Sequence, residues 1–261
     1  MALPAAADGP EEPLRDKRDV GGQRGAALRL LAAVDLERGQ GPVTPGAVAR
    51  AVAEVLPIDG AGISTTVGGL RLPLGASTAA AELAEELQTT LGDGPCLSVA
   101  ETGEPAIADL EELLRRWPLY GEELSRLTPY RSAGAIPLPT AESEMVAALD
   151  VYAEDPRLSE RLDLDAVVAE VGPTLGGLLD LCLAPVRAAS SEDAQPDWYA
   201  DVTARRLDVW FAVGMVVAHR KQPRGDALSL LRAHAFSTGR SLDDVAEDVV
   251  QGRLPLRLLV D

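Results

Sequence analysis

Apolar positions along the chain change period several times, and each change marks an element. Residues 26–36 repeat at helical spacing. In the next block Val48, Val52 and Val55 share one helical face, Thr44 is placed to cap it, Pro45 suits the first helical position and Pro57 ends it. Residues 61–67 and 70–74 read as two strands joined by Gly68-Gly69. Residues 77–91 form an Ala- and Glu-rich helix, closed by the turn cluster Gly92-Asp93-Gly94-Pro95. Residues 96–101 are short and apolar, and 106–108 are a candidate strand. A helical stretch over 110–127 is broken at Pro118, and 132–138 and 145–152 read as two further strands. Residues 156–183 predict one long helix with Leu162, Val167, Val171, Leu175, Leu178 and Leu179 on its inner side. Residues 185–196, rich in Ala, Ser, Asp and Glu, read as a linker.

Beyond the linker, three helical patterns follow one another over 206–218, 226–235 and 241–250. In the third, Leu242, Val245, Ala246, Val249 and Val250 make an amphipathic stripe. Ser241 and Asp244 resemble a capping box, and Gly252 is a suitable stop. The first pattern is apolar nearly all round, with Trp210, Phe211 and Val213 among its members, which calls for burial on several sides. Together with the long helix over 156–183 it offers more apolar surface than one chain covers, so a homodimer is expected.

Charge divides the chain. The 261 residues carry a net charge of −17, which disfavours contact with a polyanion along most of their length. Residues 199–261 differ: nine Lys and Arg stand there against eight Asp and Glu. Lys occurs only at positions 17 and 221, so the cations are almost all Arg. Two cysteines, Cys96 and Cys182, make no disulfide framework and fit a reducing compartment. Residues 1–25 mix Pro, Gly and charge without a signal-peptide core, so a disordered tail is expected. The longest uncharged apolar run, 209–218, falls short of the ~20 residues that span a bilayer, so no membrane partner is expected and the location is expected to be cytoplasmic. No Gly-rich phosphate loop with a following Lys, no Ser/His/Asp set and no metal-ligand spacing occurs. No catalytic residue, metal site or cofactor is therefore expected, and the protein reads as a non-enzyme.

Two sets of motifs resemble known families. Gln88, then Leu91-Gly92-Asp93-Gly94-Pro95-Cys96-Leu97, Glu101-Thr102-Gly103, Asp109-Leu110 and Trp117-Pro118, resemble the GAF half of actinobacterial GAF and ANTAR domain-containing proteins. The C-terminal patterns resemble the ANTAR family, on Ala212, Gly214, Met215, Ala227, Leu231, Val245 and Ala246. Val213 departs from the pattern, standing where many members carry Lys. The resemblance implies an α+β GAF sensor domain over 26–184, an antiparallel sheet flanked by helices. A linker over 185–197 and an all-α three-helix ANTAR domain over 198–257 follow. It implies a regulator whose GAF input controls binding of RNA stem-loops and antagonises transcription termination. Most motif positions are expected to be structural, among them Gly94, Pro95, Cys96 and Trp117. Cys96 is expected as a small buried residue, since Asp93 beside it disfavours a thiolate. The GAF fold leaves room for an unidentified small-molecule ligand. The RNA-contacting candidates are Arg205, Arg206, Arg220, Lys221, Arg224, Arg232 and Arg240. The alternative is a kinase-associated signalling protein, with a sensor kinase or other signalling protein as partner and the helical module serving protein contact. A DNA-reading module is disfavoured by Asp243, Asp244, Glu247 and Asp248 on the third helix.

Overall fold

The computed structural model describes residues 19–67, 69–141, 146–191 and 194–259. Helices α1 (Asp19–Arg38) and α2 (Pro45–Val55) lead into the hairpin β1 (Gly60–Val67) and β2 (Leu70–Ala76). Then come α3 (Ala79–Leu91), α4 (Pro95–Thr102), β3 (Ala106–Ala108), α5 (Leu110–Arg116), α6 (Pro118–Leu127), β4 (Ser132–Leu138) and β5 (Val146–Ala153). The strands form one antiparallel sheet in the order β2-β1-β5-β4-β3. The expected antiparallel sheet flanked by helices is present.

Strand alternation sorts the side chains onto two faces. Ile63, Leu72, Leu74, Leu149 and Val151 point to one face and pack against α1, α2 and the helices that follow β5. Ala133, Ala135, Ala148 and Tyr152 point to the other, under α3, α4 and α6. Each large aliphatic side chain buried in these layers stabilises the fold by roughly 1.5–3 kcal/mol.

Several boundaries differ from the sequence expectation, among them the start of the first C-terminal helix, which lies at Asp197 rather than 206. Helix α1 begins at Asp19, so only residues 1–18 of the expected tail lie outside the described residues. No proline falls within α1 to interrupt it. Residues 95–102 are a helix, opened by Pro95 in its first turn and closed by Gly103 at φ 72°. The single helix expected over 156–183 is three: α7 (Leu158–Arg161), α8 (Leu164–Glu170) and α9 (Gly172–Ala188). The Asp163 side chain accepts from the Ala166 N–H and starts α8 afresh, and Pro173 sits in the first turn of α9, 56° from α8. Helix α9 runs through Pro185 to Ala188, shortening the linker at its start.

The C-terminal helices are α10 (Asp197–Arg220), α11 (Arg224–Thr238) and α12 (Leu242–Val250). Val209, Ala212, Val213 and Val216 of α10 meet Ala227, Leu230 and Leu231 of α11 and Leu242, Val245, Ala246 and Val249 of α12. Ser241 caps α12 by accepting from the Asp244 N–H at 3.0 Å, as the sequence predicts. Leu70, at the start of β2, joins this core and ties it to the sheet. Among the described residues no single helix is long and apolar enough to cross a membrane.

Candidate functional site

Between the sheet and α3 lies a cluster of buried ionised and polar groups. Strand β2 supplies Arg71, β5 supplies Asp150 and Tyr152, β1 supplies Ser64, α3 supplies Glu85, Gln88 and Thr89, and α4 supplies Cys96. Arg71, Glu85, Gln88 and Asp150 are each at most 1% exposed. The helix closes on the sheet because β1 presents small residues to it. A Cβ at Gly62 would fall 2.3 Å from the Glu85 carboxyl, so only glycine fits there.

Arg71 organises the cluster. Its Nε donates to Cys96 Sγ at 3.0 Å, and Nη1 donates to the Glu85 carbonyl at 2.9 Å and to Thr89 Oγ1 at 3.4 Å. Nη2 donates to Asp150 Oδ2 at 2.8 Å and to Glu85 Oε2. Each of the five guanidinium N–H groups thus has an acceptor, which a buried cation needs. Gln88 is the second hub. Its amide nitrogen donates to Asp150 Oδ1 at 3.2 Å and to Tyr152 Oη at 3.1 Å, and its carbonyl oxygen accepts from the Cys96 N–H at 2.9 Å. Tyr152 donates to Glu85 Oε1. A Cβ at Gly94, whose φ is 135°, would fall 2.6 Å from Gln88 Oε1. The Gly94-Pro95-Cys96 turn is therefore the backbone that lets α4 reach the Gln88 amide.

One cation faces two carboxylates here, an excess of negative charge in a dry site. Burial pushes the Glu85 carboxyl up to about 8, the attraction of Arg71 only partly opposing it. Near neutral pH Glu85 therefore holds its proton for much of the time, which brings the cluster close to neutrality. Burial outweighs Arg71 at Cys96 too, pushing the thiol up to about 12. Cys96 is buried, as expected, and the charges that act on its thiol are those of Arg71, Asp150 and Glu85, distant in sequence, rather than that of Asp93. Trp117 is buried at the α5–α6 junction, with the Arg116 guanidinium 4.2 Å from its ring centre.

The seven candidate cations of the helical module separate. Arg206 is not at the surface: it is 7% exposed and paired with Asp243 at 2.7 Å. Arg232 turns toward α3, donating to the Thr89 carbonyl at 3.2 Å and lying over the bare Cα of Gly92. Arg240 pairs with Asp248 at 2.7 Å. Arg220 donates to the Leu259 carbonyl. The Arg224 guanidinium stacks 4.5 Å from the Trp210 ring centre, with its residue exposed. Lys221, at φ 55°, and Arg205 are exposed. Ala212, Ala227, Leu231, Val245 and Ala246 are fully buried in the three-helix core, while Gly214 and Met215 lie on the outer side of α10. Val213 is 3% exposed and belongs to the core of the three-helix module.

The module rests against the end of α3 that bears the cluster. Thr90 Oγ1 accepts from the Leu242 N–H at 3.1 Å, one residue beyond the Thr89 carbonyl that holds Arg232. Alongside runs a cleft of about 840 Å³ whose lining includes Glu82, Glu86, Asp201, Arg205, Asp243 and Asp244. Burial raises the carboxyls of Glu86 and Asp243. Glu85 is also among the residues that line this cleft.

These features define an α+β module with a buried arginine–carboxylate centre, docked against a three-helix module. No family model matches the chain, and no curated protein matches it. Among solved structures the chain is similar to the GAF domain from a phosphoenolpyruvate-protein phosphotransferase of Coxiella burnetii, at 17% identity and a TM-score of 0.42, over 65% of this chain and 96% of that one.

Proposed function

We propose that the protein is a cytoplasmic sensor-regulator without catalytic activity. In this reading a GAF-type domain takes the input. An ANTAR-type module binds RNA stem-loops and antagonises transcription termination. The observation that carries the reading is in the helical module: motif positions Ala212, Ala227, Leu231, Val245 and Ala246 pack into one core while Arg205, Lys221 and Arg224 stay on its surface. Phosphate contact needs such exposed cations, and the output is a binding equilibrium rather than a reaction.

The test is a gel-shift titration of the full chain with RNA hairpins and with duplex DNA over a range of salt. Hairpin binding is expected to fall steeply with salt. Lys221→Ala/Arg224→Ala is expected to lower the salt slope by about 1.5–2 units if both cations touch phosphate. An unchanged slope would remove these two residues from the interface. A second reading, a kinase-associated protein whose helical module contacts protein, is favoured by the inward turn of Arg206 and Arg232. Absence of any hairpin binding would leave that reading in place of the first.

A further inference from the structure

The seam between the two modules gathers like charge from both sides. Helix α3 places Glu82, Glu85 and Glu86 along the cleft, α10 places Asp201, Arg205, Arg206 and Asp208, and α12 places Asp243, Asp244 and Glu247. Gly46 of α2 and residues 73–76 of β2, which close the cleft, carry no charge. The cations do not answer this excess from the α+β side. Helix α3 has no Lys or Arg of its own, and Arg71 behind it is committed to Glu85 and Asp150. Arg206 of α10 pairs with Asp243 of α12, so it ties the helical module to itself. Glu86 and Asp243 meet across the seam. Burial raises the Glu86 carboxyl, Asp243 and Asp244 raise it further, and the Ser241 hydroxyl and Arg206 oppose them. Burial raises Asp243 as well, with Asp244 and Asp208 adding to it and Arg206 and Arg205 opposing. What holds the seam shut is a small set of contacts at the end of α3: Arg232 on the Thr89 carbonyl, the Leu242 N–H on Thr90 Oγ1, and Leu70 in the helical core.

We propose that this seam is an electrostatic latch: neutralising its carboxyls closes the helical module onto α3, and ionising them parts α12 and α11 from the end of that helix. Like charges on facing surfaces repel, and a partly dry cleft screens them less than open water does. The sign follows from the closed geometry. Carboxyls that are harder to ionise when the cleft is shut favour the shut form below their ordinary range, and that preference is lost as pH rises above it. The contacts that oppose opening are few, so the seam belongs to the low-stability end of the molecule, where local opening precedes unfolding. Opening takes the Thr89 carbonyl from Arg232 and turns that cation to solvent. The state of the latch therefore sets how many cations the helical module displays.

This assignment needs neither RNA nor a ligand, so its failure leaves the proposed function standing. The reporter is the Leu242 N–H. It opens α12, where an amide has no acceptor within its own helix, and its bond to Thr90 Oγ1 crosses the seam. Amide hydrogen exchange of the full chain is measured from about pH 4.5 to about pH 8.5 at low salt, as protection relative to the unstructured rate. Protection of Leu242 is expected to fall by about tenfold or more over this range, while the amides that pair β4 with β5 keep theirs. At the upper pH, raising sodium chloride from ~0.05 to ~0.5 M is expected to restore it, because salt screens repulsion. Glu86→Gln, which keeps the shape and removes one charge, is expected to abolish most of the fall. Protection of Leu242 that ignores pH, that drops rather than rises with salt, or that falls as far in Glu86→Gln as in the native chain would each overturn the proposal. Equal loss at Leu242 and in the sheet would overturn it too, since the whole chain would then be unfolding rather than the seam opening.

Discussion

Arg71 and Arg206 are both buried, one in each module, and the protein treats them differently. Arg71 meets two carboxylates, a carbonyl, a hydroxyl and a thiol at full burial. Burial lowers its pKa, but Cys96, Glu85, Asp150 and Tyr152 around it together hold the guanidinium well above its ordinary range. Arg206 has Asp243 beside it at the rim of the cleft, and there burial wins and lowers its pKa. A charge buried with complete partners fixes how helix, hairpin and strand meet. A charge buried with one partner near solvent adds a contact to a module whose core is already apolar.

The largest test of this contrast is Arg71→Ala. It strands Glu85 and Asp150 without their cation, and breaking such a pair costs about 3–5 kcal/mol. Urea unfolding measures it. A loss under 1 kcal/mol would mean the cluster relaxes or admits water freely.

The next test is pH. Glu85 has an ordinary value of 4.5 and a folded value of about 8, so between them the folded chain holds more protons than the unfolded one. Its contribution is fully present below about 4.5 and is lost as pH rises through about 8, by an amount on the order of a few kcal/mol. Thermal melting is expected to occur at lower temperature at pH 8.5 than at pH 6. Glu85→Gln is expected to flatten most of the trend. A rising melting temperature over this window would show that Glu85 is ionised and stabilised by Arg71.

The smallest effect is expected from Arg206→Ala, about 1 kcal/mol, because Asp243 keeps access to water after its partner is removed. A loss equal to that of Arg71→Ala would erase the difference between the two sites.

Much of the architecture was readable locally. Thr44-Pro45, the pairing of β1 with β2, the Pro118 break and the Ser241 cap are settled by a few neighbouring residues, because turn and cap geometry is local. The long helix after β5 was not, since Asp163 and Pro173 compete with a continuous apolar stripe and the sheet decides which wins. The Arg71 cluster left only a faint sign, a lone charge in each of the apolar strands 70–76 and 146–153. Isolated charges among residues that alternate into a core are the signal that marks such a site.

The sequence by itself determined most of the elements, their order, the division between an acidic α+β module and a near-neutral helical one, and the motif turn Gly94-Pro95-Cys96. Those follow from periodicity, turn chemistry and composition, which act over a few residues. Only the tertiary structure decided which charges face each other. Arg71, Glu85 and Asp150 span 79 positions of chain and meet because β2, β1 and β5 pair in one register and α3 lies across them. Arg206 and Arg232 look like surface cations until α12 and α3 close over them. Burial and partners set the protonation of a side chain, and both are properties of packing at a distance.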